Sequence, residues 1–400
     1  MTTHNQRQTR PAFLSRRNLV RAAGAAALAT VPAPAARVDA RQGPDATPGV
    51  SGQAAALPLY GVSYDVGTDY TPAQGVLSLQ TWDAGRAREE MRVIRDDLHS
   101  TGIMVFGTDL DRLENAAEIA ADLGLTVWLQ PRVIDATEAD LTSHLVEAAT
   151  RAEAIRSQGA DITLNIGVEF SIFADGVIPG ETFTERLGTL VETFEELPTY
   201  NERLNDLLDR LVAVAREPFG GPISYGAGPW EAPDWGLFDV VGVDLYRDAY
   251  NRDTYDEQLT ALQAHGKPVV ITEFGCCCYE GAAEVGGAGF QIVDWSQTPP
   301  VLDGDYVRSE QEQADYLDDL LSRYVAAGVH GAFVFTFLEA AYPYSPDPHY
   351  DLDMASFGIV KVWPDSTDQG YDATGYWEPK AGFRLVAERF AALSGGEQAR

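Results

Sequence analysis

The sequence predicts an α/β fold, a (β/α)8 TIM barrel that makes a single domain of residues 57–395. Three observations predict it. Short apolar runs rich in Val, Ile, Phe and Tyr alternate eight times with stretches of helical apolar spacing. Helices end in glycine and a strand begins at once, as at Gly102, Gly124, Gly159, Gly220-Gly221, Gly266 and Gly328. The connections that leave the strands are longer, above all after strands four, seven and eight. Short turns at one end and long loops at the other put a functional site at the strand C-termini.

The strands are expected at 57–65, 102–108, 126–132, 161–169, 222–228, 239–246, 268–274 and 331–338. The helices are expected at 83–100, 111–123, 138–157, 201–216, 254–264, 309–327 and 377–393, with only a turn of helix in the fifth crossover. A doubly wound open sheet is the alternative. It would want a Gly-rich phosphate turn after strand one, where the chain has Tyr64-Asp65-Val66-Gly67.

Residues 1–36 read as an export signal. Ser15-Arg16-Arg17-Asn18-Leu19-Val20 sets two arginines before the Ala-rich run from Ala22 to Val31, and Ala33-Pro34-Ala35 offers small residues for cleavage. The pattern resembles a twin-arginine signal, so the protein is expected outside the cytoplasm or in the envelope. The apolar run is too short to span a membrane permanently, and residues 37–56 read as a flexible linker. No integral membrane segment is expected in the mature chain.

The 400 residues carry 29 Lys+Arg against 60 Asp+Glu, a formal net charge of −31. Such a chain repels nucleic-acid phosphate and anionic membranes. The acidity fits a salt-rich habitat or simply an acidic exported protein. Cys276, Cys277 and Cys278 are adjacent and offer no disulfide framework; packing is their expected role, with redox or metal chemistry as the alternative. No two of the six histidines stand at metal-ligand spacing, and neither metal nor cofactor is expected. Gly286-Gly287-Ala288-Gly289 reads as a mobile loop rather than a phosphate cradle.

Polar residues at strand ends are the candidates for chemistry: Tyr64 and Asp65, Asp109, Gln130 and Arg132, Glu169, Asp244 and Tyr246, Glu273 and Glu339. Glu169 and Glu273 stand out because each closes a strongly apolar strand, where an ionisable side chain is costly unless used or paired. Strands four and seven lie nearly opposite in an eight-stranded barrel. Two carboxyls facing across a cleft are what glycoside cleavage needs. The alternative is that each pairs with an arginine such as Arg132 or Arg247.

This arrangement resembles the clan A glycoside hydrolases, a (β/α)8 superfamily. Ile271-Thr272-Glu273-Phe274-Gly275 is similar to their nucleophile strand. The resemblance implies that Glu273 is the nucleophile, Glu169 the acid/base, and Tyr246 the tyrosine that hydrogen-bonds the nucleophile. It implies a retaining hydrolysis of a glycosidic bond. Clan A enzymes usually carry Asn directly before the acid/base; here that residue is Val168, and the nearest Asn, Asn165, lies deeper by strand alternation. Strand two lacks the usual Arg, and strand eight has Phe335 and Phe337 in place of the usual Trp. Trp128, Trp230, Tyr64 and Tyr246 are candidate sugar-stacking residues, with Trp295 and Tyr342 beyond the strand ends. Asp65 and Arg132 complete the candidate substrate contacts, the expected partner being a carbohydrate or glycoside.

The runs from Glu273 to Gly281, from Asp351 to Gly358 and from Trp377 to Ala381 also resemble a bacterial family labelled abortive infection protein. That label implies phage defence. The alternatives to an enzyme are therefore a non-catalytic barrel that binds carbohydrate or an envelope ligand, and a defence protein acting on a partner.

Overall fold

The computed structural model describes residues 57–72, 74–363 and 376–398. The expected export signal and linker lie outside the described residues. Eight parallel strands close into a barrel: β1 (Leu59–Asp65), β2 (Gly102–Gly107), β3 (Thr126–Pro131), β4 (Ile162–Val168), β5 (Ile223–Ala227), β6 (Val241–Asp244), β7 (Val269–Phe274) and β8 (Gly331–Val334). β8 pairs with both β1 and β7, which completes the ring. The doubly wound alternative is excluded by this closure.

The helices are α1 (Ala84–Asp96), α2 (Leu110–Asp122), α3 (Glu138–Ser157), α4 (Phe170–Phe173), α5 (Phe183–Glu192), α6 (Leu197–Arg216), α7 (Tyr255–Gln263), α8 (Ala282–Val285), α9 (Glu310–Ala327) and α10 (Ala381–Gln398). Their starts follow local side-chain chemistry. Asp83, Asp109, Thr137, Thr182 and Ser309 each accept a hydrogen bond from a backbone N–H of the first turn they precede. The long segment after β4 holds α4 and α5, which periodicity did not separate from loop. Of the junction glycines, Gly124, Gly159, Gly266 and Gly328 have positive φ. Gly102 does not. A Cβ there would meet Leu59 Cδ1 at 2.6 Å and the Thr126 carbonyl at 2.9 Å, so close strand approach is what requires glycine.

The barrel interior is layered. At the strand N-termini Leu59, Met104, Trp128, Val240, Val270 and Phe333 form a closed apolar plug. Above it lies a buried polar layer of Ser63, Gln130, Asn165, Ser224 and Thr272. The strand C-terminal mouth carries Arg132, Glu169, Tyr246 and Glu273.

Two irregularities shape that mouth. Between Asn165 and Val168, β4 carries one residue more than β5 opposite it. β7 carries one extra residue around Thr272, seen against both β6 and β8. Each is a bulge, which resets the two-residue alternation of side chains. In β7, Val269 and Ile271 pack outward in the main core, yet Thr272 and Glu273 both contact residues of the barrel interior. In β4 the alternation that relates Asn165 to Glu169 is interrupted. Glu169 reaches the mouth instead through a left-handed turn, φ 41° and ψ 45°. Asn165 does lie deep, its Nδ2 3.9 Å from Met104 Sδ.

Among the described residues no helix is long and apolar enough to cross a membrane.

Candidate active site

Glu273 is buried at the end of β7 and receives two donors. Arg132 Nη2, from just beyond β3, lies 2.5 Å from Oε1, and the Tyr246 hydroxyl donates to Oε2 at 3.1 Å. The arginine pairing expected only as an alternative is therefore present for Glu273, together with the tyrosine contact. Arg132 is itself fixed by Gln130 Oε1 at 3.0 Å from Nε, by the Tyr70 hydroxyl at 3.3 Å, and by stacking 4.1 Å above the Phe106 ring. Phe335 stacks on Phe106 in turn, 5.7 Å between centroids. This arginine beyond strand three, stacked on Phe106 of strand two, reaches the strand-seven carboxylate.

Glu169 is half-buried, and no described residue donates to its carboxyl. Burial, then the charges of Glu273 and Glu231, push this carboxyl well above the usual carboxylate range, against a smaller downward pull from Arg132. Gly228 makes room for it. A Cβ at Gly228 would stand 3.0 Å from Glu169 Oε1 and 2.8 Å from Trp230 Cζ2. Trp230 thus borders the Glu169 carboxyl, and its indole N–H donates to Ser171 Oγ at 2.8 Å.

Glu231 was missed by sequence reading. Its carboxyl accepts from Tyr225 OH (2.8 Å), Gly228 N (3.1 Å) and Ser171 N (2.9 Å), tying the loop after β5 to α4. The available signal was Gly-Pro-Trp-Glu directly behind a strand end. Asp244 was noted on strand six without a role. It pairs in register with Glu273, is fully buried, and receives Thr272 Oγ1 on Oδ1 at 2.6 Å.

Other candidates fall differently. Trp128 does not reach the mouth: it is in the basal plug, 5.5 Å from Phe333 centre to centre. Tyr64 faces away from the barrel axis. Leu59 points inward, so alternation sends Tyr64 outward, where its hydroxyl donates to Glu90 Oε2 of α1 at 2.5 Å. Neither can stack on a ligand at the strand ends. Asp65 faces the mouth, but both its oxygens are engaged by Gly67 N, Thr68 Oγ1 and Ser78 Oγ, so it organises the loop after β1. Trp295 is 46% exposed and stands edge-on to Tyr342 at 5.5 Å.

Glu339, just beyond β8, accepts from Ser356 Oγ at 2.8 Å and Phe357 N at 2.6 Å; burial pushes it up to about 7. Arg247, the other proposed partner, lies 3.7 Å from Asp319 instead. The three cysteines are free thiols in the core. The glycine-rich segment is not an open loop: Gly286 and Gly287 lie against Arg247, Asp248 and the Tyr246 ring, and Gly289 against Cys277. Among the described residues no cluster of His, Cys, Asp and Glu is arranged to hold a metal ion.

No family model and no curated protein matches this chain. Solved structures do. A GH113 β-1,4-mannanase complex superposes with a TM-score of 0.53 at 15% identity, over 84% of this chain and 99% of that one. The GH113 β-mannanase AaManA from Alicyclobacillus acidocaldarius gives 0.50 at 14% identity, over 86% and 99%. Fpglu1 from Fervidobacterium pennivoraus gives 0.51 at 9% identity, over 84% and 96%. The protein shares the closed (β/α)8 barrel fold of these structures.

Proposed function

We propose that this barrel is a retaining glycoside hydrolase in which Glu169 is the acid/base and Glu273 the nucleophile. The observation that carries the reading is the contrast between the two carboxyls. Glu273 accepts hydrogen bonds from a guanidinium and a phenol, which hold its oxygens in place. Among the described residues none donates to Glu169, and its partial burial and the charge of Glu273 favour the protonated acid. One environment suits attack, the other proton donation.

In the first step Glu169 gives its proton to the leaving glycosidic oxygen while Glu273 attacks the anomeric carbon, forming a glycosyl ester. In the second, Glu169 takes a proton from water, and the resulting oxygen displaces Glu273 from that carbon. Trp230 borders Glu169, where it would stack on the sugar of the leaving group. The ligand is a carbohydrate. Because structural neighbours include β-1,4-mannanases, β-1,4-linked mannan is the first polymer to try.

Turnover of aryl glycosides and β-1,4-linked polysaccharides by the purified chain tests the reading. Hydrolysis of at least one is expected. Binding of an oligosaccharide with no turnover across the panel would favour the non-catalytic barrel.

Export completes the proposal. Residues 1–36 act as a twin-arginine-type signal, with 37–56 as linker. Arg16→Lys with Arg17→Lys is expected to block export. An exported protein that still carries residues 1–35 would contradict this.

A further inference from the structure

Three carboxyls meet one cation at the mouth of the barrel. Glu169, Glu273 and Asp244 influence one another, and Arg132 is the guanidinium that acts on all three. Arg132 is committed to Glu273. Asp244 sits deeper, with Thr272 Oγ1 on one oxygen. Its Oδ2 is buried and, among the described residues, has no hydrogen-bond partner. Gly226 faces both oxygens, where a Cβ would lie 3.3 Å and 3.4 Å away, and brings no side chain to them.

An ionised carboxylate with one oxygen bare, no cation of its own and a carboxylate as register neighbour is costly, and such a group takes up a proton instead. We infer that Asp244 holds a proton at neutral pH and is a positioning residue that adds no second charge beside Glu273. Its catalytic meaning rests on the roles proposed for Glu169 and Glu273; its protonation does not. The groups that face Asp244 are Glu273 and Thr272 of β7, Glu169 beyond β4, Arg132 beyond β3, and Tyr246 two residues beyond β6. Burial comes first in raising its proton affinity, then the charges of Glu273 and Glu169.

The sign follows. An unfolded aspartate ionises near pH 3.9, so folding takes up one proton above that pH and stability falls as pH rises. Asp244→Asn removes this linkage while preserving the shape of the protonated acid. Folding constants from urea unfolding, compared between the two proteins from pH 5 to pH 7, are expected to diverge about tenfold per pH unit, the variant gaining. A constant ratio would overturn the inference.

Infrared spectra of the wild-type protein supply a second measurement that needs no variant to fold. A protonated-carboxyl band that moves on 13C-aspartate labelling is expected at pH 7, and its absence would overturn the inference. Both readouts are independent of turnover. A chain that cleaves no glycoside yet shows them retains the protonated Asp244 and loses only the catalytic reading.

Discussion

Arg132 crosses the mouth of the barrel from the end of β3 to Glu273 at the end of β7, its Nη2 2.5 Å from Oε1, with both side chains almost wholly buried. Buried pairs of this kind leave a stranded charge when one partner is removed. Arg132→Ala is expected to destabilise the protein by about 3–5 kcal/mol. Arg132→Met combined with Glu273→Gln should recover much of that, because the stranded charge goes too. Urea unfolding of Arg132→Met, Glu273→Gln and the double variant measures the coupling; additive losses would mean the pair is not coupled.

Tyr246 is the second donor to Glu273, and Gly287 packs against its ring. A hydrogen bond to a charged group contributes about 1.5–3 kcal/mol. Tyr246→Phe should therefore lower kcat/KM by about 10- to 150-fold while leaving the melting temperature within a few degrees of wild type. Steady-state kinetics with a thermal melt separates the two effects.

In the proposed mechanism Glu169 carries the proton in the first step, so its raised proton affinity should set the alkaline limb of the pH–rate profile. That limb should lie above the pH at which an ordinary glutamate ionises. Glu169→Gln should abolish the limb and cost about 10²- to 10⁴-fold on substrates with poor leaving groups. Substrates with good leaving groups need no protonation and should lose far less in the first step. A pH profile run on both substrate types reads all three effects.

Gly228 is glycine because Glu169 and Trp230 share the space a Cβ would take. Gly228→Ala should displace the Glu169 carboxyl and lower kcat/KM on the order of 10²-fold, since small misplacements of a reacting group are expensive. The displaced atoms are the ends of side chains, so stability should change little. Kinetics paired with urea unfolding checks both halves.

The barrel was legible in the sequence because its elements are local: period-two runs, helical spacing and glycine junctions mark each unit without reference to its neighbours. Glu169 and Glu273 were legible for a different reason, as carboxyls ending apolar strands. Orientation was harder. Tyr64 and Trp128 read as strand-end aromatics, yet one points out of the barrel and the other lies in the basal plug. Facing direction and depth depend on register with the adjacent strands, which a single strand does not carry. The bulges in β4 and β7 are of the same kind, since an extra residue exists only relative to a partner. Glu231 escaped notice because its three donors come from sequence positions up to 60 residues away.

The central claim is that Glu273 is the nucleophile. It is tested most directly by trapping the glycosyl ester. The substrate found by the turnover panel would be remade with fluorine at C2 and a good leaving group, and the intact protein and its peptides weighed after reaction. One glycosyl unit on the peptide containing Glu273, and none in Glu273→Gln, is the expected result. Label on a different carboxyl, or unlabelled protein that releases the inverted anomer, would contradict it.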